Sequence, residues 1–114
     1  FFENYKPSLT ILKENLENLN LSKSSIISEK DAYKISNEDI DHKKVDLIYL
    51  DPPFKDKNIN KLLEKIKNLK IAQENTLIII HRNKKYKDEL IEEFKISREQ
   101  NYGVSNIIFG RILL

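Results

Sequence analysis

The chain has 114 residues, 39% apolar and 33% charged, and its 20 basic and 18 acidic side chains leave a net charge of +2. That is enough for one domain with one core and too balanced to mark a nucleic-acid binder by itself. The absence of cysteine excludes disulfides, thiolate metal sites and cysteine nucleophiles and fits a cytoplasmic protein, and no apolar run approaches the ~20 residues of a membrane span.

Phe1 and Phe2 read as the end of a buried strand, closed by Glu3 and Asn4. With no methionine anywhere, we expect the sequence to begin inside a domain. Pro7 suits the first turn of a helix, where its missing N–H costs nothing. Leu9, Leu12, Leu16 and Leu19 then fall on one helical face. Ser24–Ile27 reads as a short strand, and Lys30-Asp31-Ala32-Tyr33 as a loop or helical turn behind it. Residues 36–44 are polar and expected at the surface. Val45–Leu50 is an apolar strand broken only by Asp46, which predicts cover on both faces, as in a parallel sheet. The turn Asp51–Asn58 leads into a helix that points Ile59, Leu62, Leu63, Ile66 and Leu69 inward. Thr76–Ile80 is a second buried strand, and Tyr86–Phe94 reads as a helix using Leu90, Ile91 and Phe94. Two last strands, about Lys95–Asn101 and Ser105–Leu113, flank Tyr102-Gly103, where glycine supplies the positive φ of a hairpin turn.

Strands alternating with helices and then a closing hairpin indicate an α/β fold of the doubly wound kind, mostly parallel with an antiparallel hairpin at the C-terminus. Ligands bind at the carboxyl ends of such strands. Glu3, Asp31, Asp51 and His81 each follow a predicted strand, which places four polar groups along one edge.

The most informative stretch is Asp51-Pro52-Pro53-Phe54. Neither proline can donate a backbone hydrogen bond and each fixes φ near −65°, while the residue before a proline is held extended. The carbonyls of Asp51 and Pro52 therefore form, with the Asp51 carboxylate, a row of fixed acceptors. The exocyclic NH2 of a nucleobase is a matching donor. Its lone pair is conjugated into the ring, and acceptors gripping its hydrogens favour the tetrahedral nitrogen that attack requires. Phe54 is placed to stack on the base, a contact worth ~1–3 kcal/mol. The plainer reading is a strand-to-helix turn in which Asp and Pro merely stop the strand.

This motif resembles that of S-adenosylmethionine-dependent methyltransferases acting on exocyclic amines of bases. Phe2-Glu3-Asn4 with the Leu9–Leu19 helix, Lys30-Asp31-Ala32, Tyr102-Gly103 and Ile107-Ile108-Phe109-Gly110 narrow the resemblance to the bacterial 16S ribosomal RNA guanine-N2 methyltransferase family, RsmD type, over nearly the whole chain. The resemblance implies a Rossmann-like methyltransferase sheet, S-adenosylmethionine as cofactor, and ribosomal RNA or the small ribosomal subunit as partner. It implies that Glu3, with Asn4 beside it, takes the ribose hydroxyls, and that Asp31, with the Ala32 backbone, accepts from the adenine amine. Asp51 and Pro52 would hold the target amine in the turn that Pro53 stiffens, and Phe54 would stack on the flipped guanine. Without the resemblance, Glu3 suits an acid at the start of a helix and Asp31 an N-cap. His81 reads as a packing residue at a strand end, and a lone histidine predicts no metal site. Lys55 and Lys57, with Arg82, Lys84 and Lys85, suit a phosphate-binding rim or a solvated lysine-rich surface.

The chain departs from the family in one respect. Its two glycines, Gly103 and Gly110, lie near its far end, whereas the family's glycine-rich cofactor loop follows a first strand that should precede Glu3. We therefore expect residues 1–114 to be a single partial methyltransferase domain, from the second strand onward, that needs the preceding part. Two inner strands would be left as open edges, with weak or no cofactor binding and poor stability alone. The alternatives are an adenine-N6 methyltransferase of DNA or RNA, and an inactive, RNA-binding remnant of the fold.

Overall fold

A computed structural model describes the whole chain, Phe1–Leu114. Pro7 stands in the first turn of helix α1 (Lys6–Asn18). Leu9 and Leu16 are buried beneath that helix, but Leu12 is only half-buried and Leu19 is exposed, so the apolar stripe is used for about two turns rather than three. Both buried leucines stay outside the main core cluster.

The sheet comprises β1 (Val45–Leu50), β2 (Ala72–Asn83), β3 (Phe94–Tyr102) and β4 (Ser105–Ile112), in the order β1-β2-β4-β3. β1 and β2 run parallel and are joined through helix α2 (Ile59–Asn68), while β2–β4 and β3–β4 are antiparallel. The expected α/β class is observed; of the three strand pairs, one is parallel and two, made by the C-terminal hairpin, are antiparallel. α2 buries Ile59, Leu62, Leu63 and Ile66 in one cluster with Leu50, Ile78, Ile80, Phe94, Ile108 and Ile112. A register shift near the start of the β1–β2 pair is stitched by Thr76, whose hydroxyl donates to Val45 O (2.6 Å) and accepts from Gln73 N (2.8 Å). The hairpin turns on Gly103 at φ +58°. Gly110 lets the Phe94 ring and the Lys95 carbonyl lie against the β4 backbone, where a Cβ would come within 2.5 and 2.6 Å of them.

Four expectations are corrected. The strands expected at Phe1–Phe2 and Ser24–Ile27 are a single parallel bridge, Phe2 to Ser28, outside the four-stranded sheet, and Ser22–Ser24 is a 3₁₀ turn. β1 is covered on one face only: Leu47 and Tyr49 are each 54% exposed, because helix α2 occupies the opposite side. β2 is longer than Thr76–Ile80 and takes in His81 and Arg82. Residues 86–94 form no helix. Their polar groups are engaged elsewhere: the Asn60 side chain takes the Ile91 N–H (3.1 Å) and donates to the Glu89 carbonyl, and Asp88 turns to Arg82. Helical propensity was outcompeted by these tertiary partners. No helix is long and apolar enough to cross a membrane.

Candidate active site

Asp51 follows the last residue of β1. Because Leu50 pairs with Ile80, Asp51 comes to lie beside His81 of β2. The carbonyls of Asp51 and Pro52 accept no hydrogen bond from the chain, whereas those of the next residues are held firmly. Pro53 O accepts from Asp56 N (2.8 Å) and from Arg82 Nη1 (3.2 Å). Arg82 Nη2 donates to Phe54 O (3.3 Å) and Asp56 O (2.6 Å). Asp88 balances the guanidinium charge, accepting from Nε at 2.7 Å and from Nη2 at 3.2 Å.

Arg82 is 1% exposed. Its expected place in a phosphate-binding rim is therefore corrected: it is an internal clamp on the Asp51 turn. Strand alternation explains this, since Ile78, Ile80 and Arg82 share the core face of β2. A turn with two prolines has carbonyls without local donors, and a five-donor side chain meets that need. Lys55, Lys57, Lys84 and Lys85 remain exposed. Arg82 ties residues 53–56 to the end of β2, which Lys84 and Lys85 follow in the chain.

On the other face of β2, His81 Nδ1 is 3.0 Å from Asp51 Oδ1 and Nε2 is 2.8 Å from Ser105 Oγ. The Phe54 ring meets the imidazole edge to face, with centroids 5.5 Å apart and planes at 88°.

Between the Phe2–Ser28 bridge and β1 lies a cavity of about 490 Å³, lined among others by Glu3, Asn4, Asp31, Ala32, Asp51, Pro52 and Pro53. Seven of the residues singled out in the sequence thus line one opening, which runs along β1 to its carboxyl end. Phe54 lies outside that lining. Each cavity carboxylate also does local work. Glu3 Oε1 accepts from Asn4 N (3.1 Å) and Tyr5 N (2.9 Å) ahead of α1, and Asp31 Oδ1 caps a 3₁₀ turn at Tyr33 N (2.9 Å). Glu3 Oε2 and Asp31 Oδ2 have no partner in the chain. Tyr33 connects the two halves of the site: its hydroxyl donates to Asp56 Oδ2 (2.6 Å) and its carbonyl accepts from Lys65 Nζ (2.7 Å). Burial and the Asp56 carboxylate push the Tyr33 hydroxyl well above the ordinary tyrosine range.

Tyr33, Asp56, Asp88 and Ser105, and the pairing of His81 with Asp51, were not anticipated from the sequence. The inward direction of Arg82 was available in the two-residue period of Ile78 and Ile80. The others depend on elements distant along the chain.

A family model described as "Conserved hypothetical protein 95" matches residues 1–111. Among solved structures, a candidate methylase from Haemophilus influenzae superposes with a TM-score of 0.74 at 19% identity, over 100% of this chain and 71% of that one. A candidate methyltransferase from Escherichia coli gives 0.73 at 14% identity, over 99% and 62%. An rRNA methyltransferase from Streptomyces viridochromogenes gives 0.59 at 11% identity, over 75% and 38%. At these identities the likeness shows the fold. No curated protein matches the sequence.

Proposed function

The chain belongs to the conserved hypothetical protein 95 family, which bears out the resemblance read from its sequence, and from that premise we propose that it carries the amine-binding part of a methyltransferase acting on the exocyclic N2 of guanine in small-subunit ribosomal RNA. The observation that carries this reading is the Asp51 turn. Its first two carbonyls and one oxygen of its carboxylate have no partner in the chain, next to a cavity with two more half-engaged carboxylates. An exocyclic amine offers two hydrogens, and Asp51 Oδ2 and Pro52 O are the acceptors for them. Phe54, braced against His81, is the ring for a base turned out of its helix.

The residues present fit the nucleoside half of S-adenosylmethionine. Glu3 Oε2 suits ribose hydroxyls, Asp31 Oδ2 suits an adenine amine, and the cavity wall between them is largely apolar. When bound, the cofactor would supply an electrophilic methyl group and would keep the carbon–sulfur electron pair on its sulfur. The amine nitrogen forms the new bond with its lone pair and sheds one proton, which Asp51 Oδ2 accepts and passes to solvent. The chain's contribution is to hold the amine in place and to strengthen its lone pair, and positioning of this kind accounts for a large share of such rate enhancements.

The test is methyl transfer to guanine- and adenine-containing RNA by the whole protein that carries this chain. Guanine N2 is the expected product, and Asp51→Ala lowers the rate at least ~100-fold. A product at adenine N6 would move the assignment to that amine. Unchanged methylation in Asp51→Ala would remove the site assignment altogether.

A further inference from the structure

We propose that His81, held by Ser105, is a positioning residue that fixes the tautomer-dependent hydrogen bond to Asp51 and thereby decides which carboxylate oxygen faces the amine; this rests on the methyl-transfer reading given above. One imidazole on β2 touches both chemical parts of the turn: the Asp51 carboxylate at 3.0 Å through Nδ1, and the Phe54 ring edge to face. An ionised carboxylate can only accept, so Nδ1 carries the hydrogen. In the neutral ring Nε2 is then a lone pair, and the Ser105 hydroxyl, 2.8 Å away, donates to it. The array runs Ser105 Oγ–H to Nε2 and Nδ1–H to Oδ1. A second-sphere donor of this type sets the tautomer and the orientation of the group it supports.

The consequence is a division of labour at Asp51. Oδ1 is committed to His81, while Oδ2 and the Pro52 carbonyl have no partner in the chain. Two acceptors for two amine hydrogens are what a primary exocyclic amine requires. The aspartate is about half exposed and the histidine side chain only 21% exposed, so the fixed partner is the imidazole and the positioned one is the carboxylate. The closing hairpin enters the chemistry here, because Ser105 is the first residue of β4 and pairs with Asn83 of β2.

Two measurements decide the proposal. In the ¹⁵N-labelled whole protein, long-range proton–nitrogen correlations should show His81 protonated at Nδ1 and bare at Nε2, with Ser105→Ala raising the population protonated at Nε2. A wild-type ring bare at Nδ1 overturns the array. In the whole protein, His81→Phe keeps a ring against Phe54 but has no donor, whereas His81→Asn loses the ring and keeps an N–H for Asp51. We expect kcat to fall about 10–100-fold in His81→Phe with cofactor affinity unchanged, and His81→Asn to recover most of the loss. A packing role predicts the reverse order, so a His81→Phe enzyme at the wild-type rate, or His81→Asn no better than His81→Phe, overturns the proposal. A wild-type protein that transfers no methyl group to RNA overturns the methyl-transfer reading instead, and the tautomer still reports whether His81 holds Asp51.

Discussion

Arg82 is the side chain on which the shape of the Asp51 turn most depends. A buried guanidinium is tolerable only with its charge balanced and its donors used, and Asp88 with the carbonyls of Pro53, Phe54 and Asp56 meets both conditions. Arg82→Met leaves Asp88 uncompensated and the carbonyls of Phe54 and Asp56 without a donor. We expect a loss of about 3–5 kcal/mol in denaturant unfolding. Faster tryptic cleavage at Lys55 and Lys57 should appear in native buffer, while sites within α1 are cut at the wild-type rate; equal acceleration at both would show general unfolding instead of a released turn. Gly110 is a second sensitive position. A methyl group there meets the Lys95 backbone oxygen at 2.6 Å, which cannot rotate away, so Gly110→Ala should cost about 1–3 kcal/mol, read from the same unfolding curves.

At the scale of elements, the two halves of the site are joined by short polar bonds between loops. Tyr33 reaches from the Asp31 turn to Asp56, and Lys65 of α2 holds the Tyr33 carbonyl. Tyr33→Phe removes a hydrogen bond to a carboxylate and should cost about 1.5–3 kcal/mol, with increased amide exchange in both turns and none in the β3–β4 hairpin. The Tyr33 hydroxyl titrates above its unfolded value, so the neutral form is favoured on folding. Its contribution is complete below the ordinary tyrosine range and is lost as pH rises through it toward the folded value. Stability in alkali should therefore fall in the wild type, and that fall should be smaller in Tyr33→Phe. On the acid side, Asp39 is held below the ordinary carboxylate range by Lys30 and by the Ser36 amide and hydroxyl, with which it closes a capping box. Its contribution is present above the unfolded value and disappears as pH falls through the folded one. Amide exchange in residues 36–41 should rise on acidification, and Asp39→Asn should flatten that response.

At the scale of the whole molecule, Arg82 ties the turn that carries Lys55 and Lys57 to β2, and Lys84 and Lys85 follow the end of that strand. If these four lysines line the approach of RNA to Asp51, neutralising them should weaken binding to all sequences alike. The slope of log K against log salt should decrease by roughly 0.7 for each lysine that contacts single-stranded phosphate, and an unchanged slope would return them to the solvated surface. The same view accounts for the open face of β1. Leu47 and Tyr49 are exposed, and the Phe2–Ser28 bridge stands across the cavity from them.

The sequence by itself determined whatever depends on local pattern. The apolar spacing of Ile59–Ile66 specified α2, the glycine between two alternating segments specified the β3–β4 hairpin, and the backbone restrictions of Pro52 and Pro53 specified the free acceptors at Asp51. Period alone could not decide residues 86–94, because Leu90, Ile91 and Phe94 satisfy a helical spacing while their polar neighbours are claimed by Asn60 and Arg82. Nor could it decide that His81 meets Asp51 across 30 residues or that Arg82 is buried, because both follow from the parallel register of β1 on β2. Hydrogen-bond partners distant in sequence carry no signal in the local pattern; they exist only once the sheet has set which strand ends lie side by side.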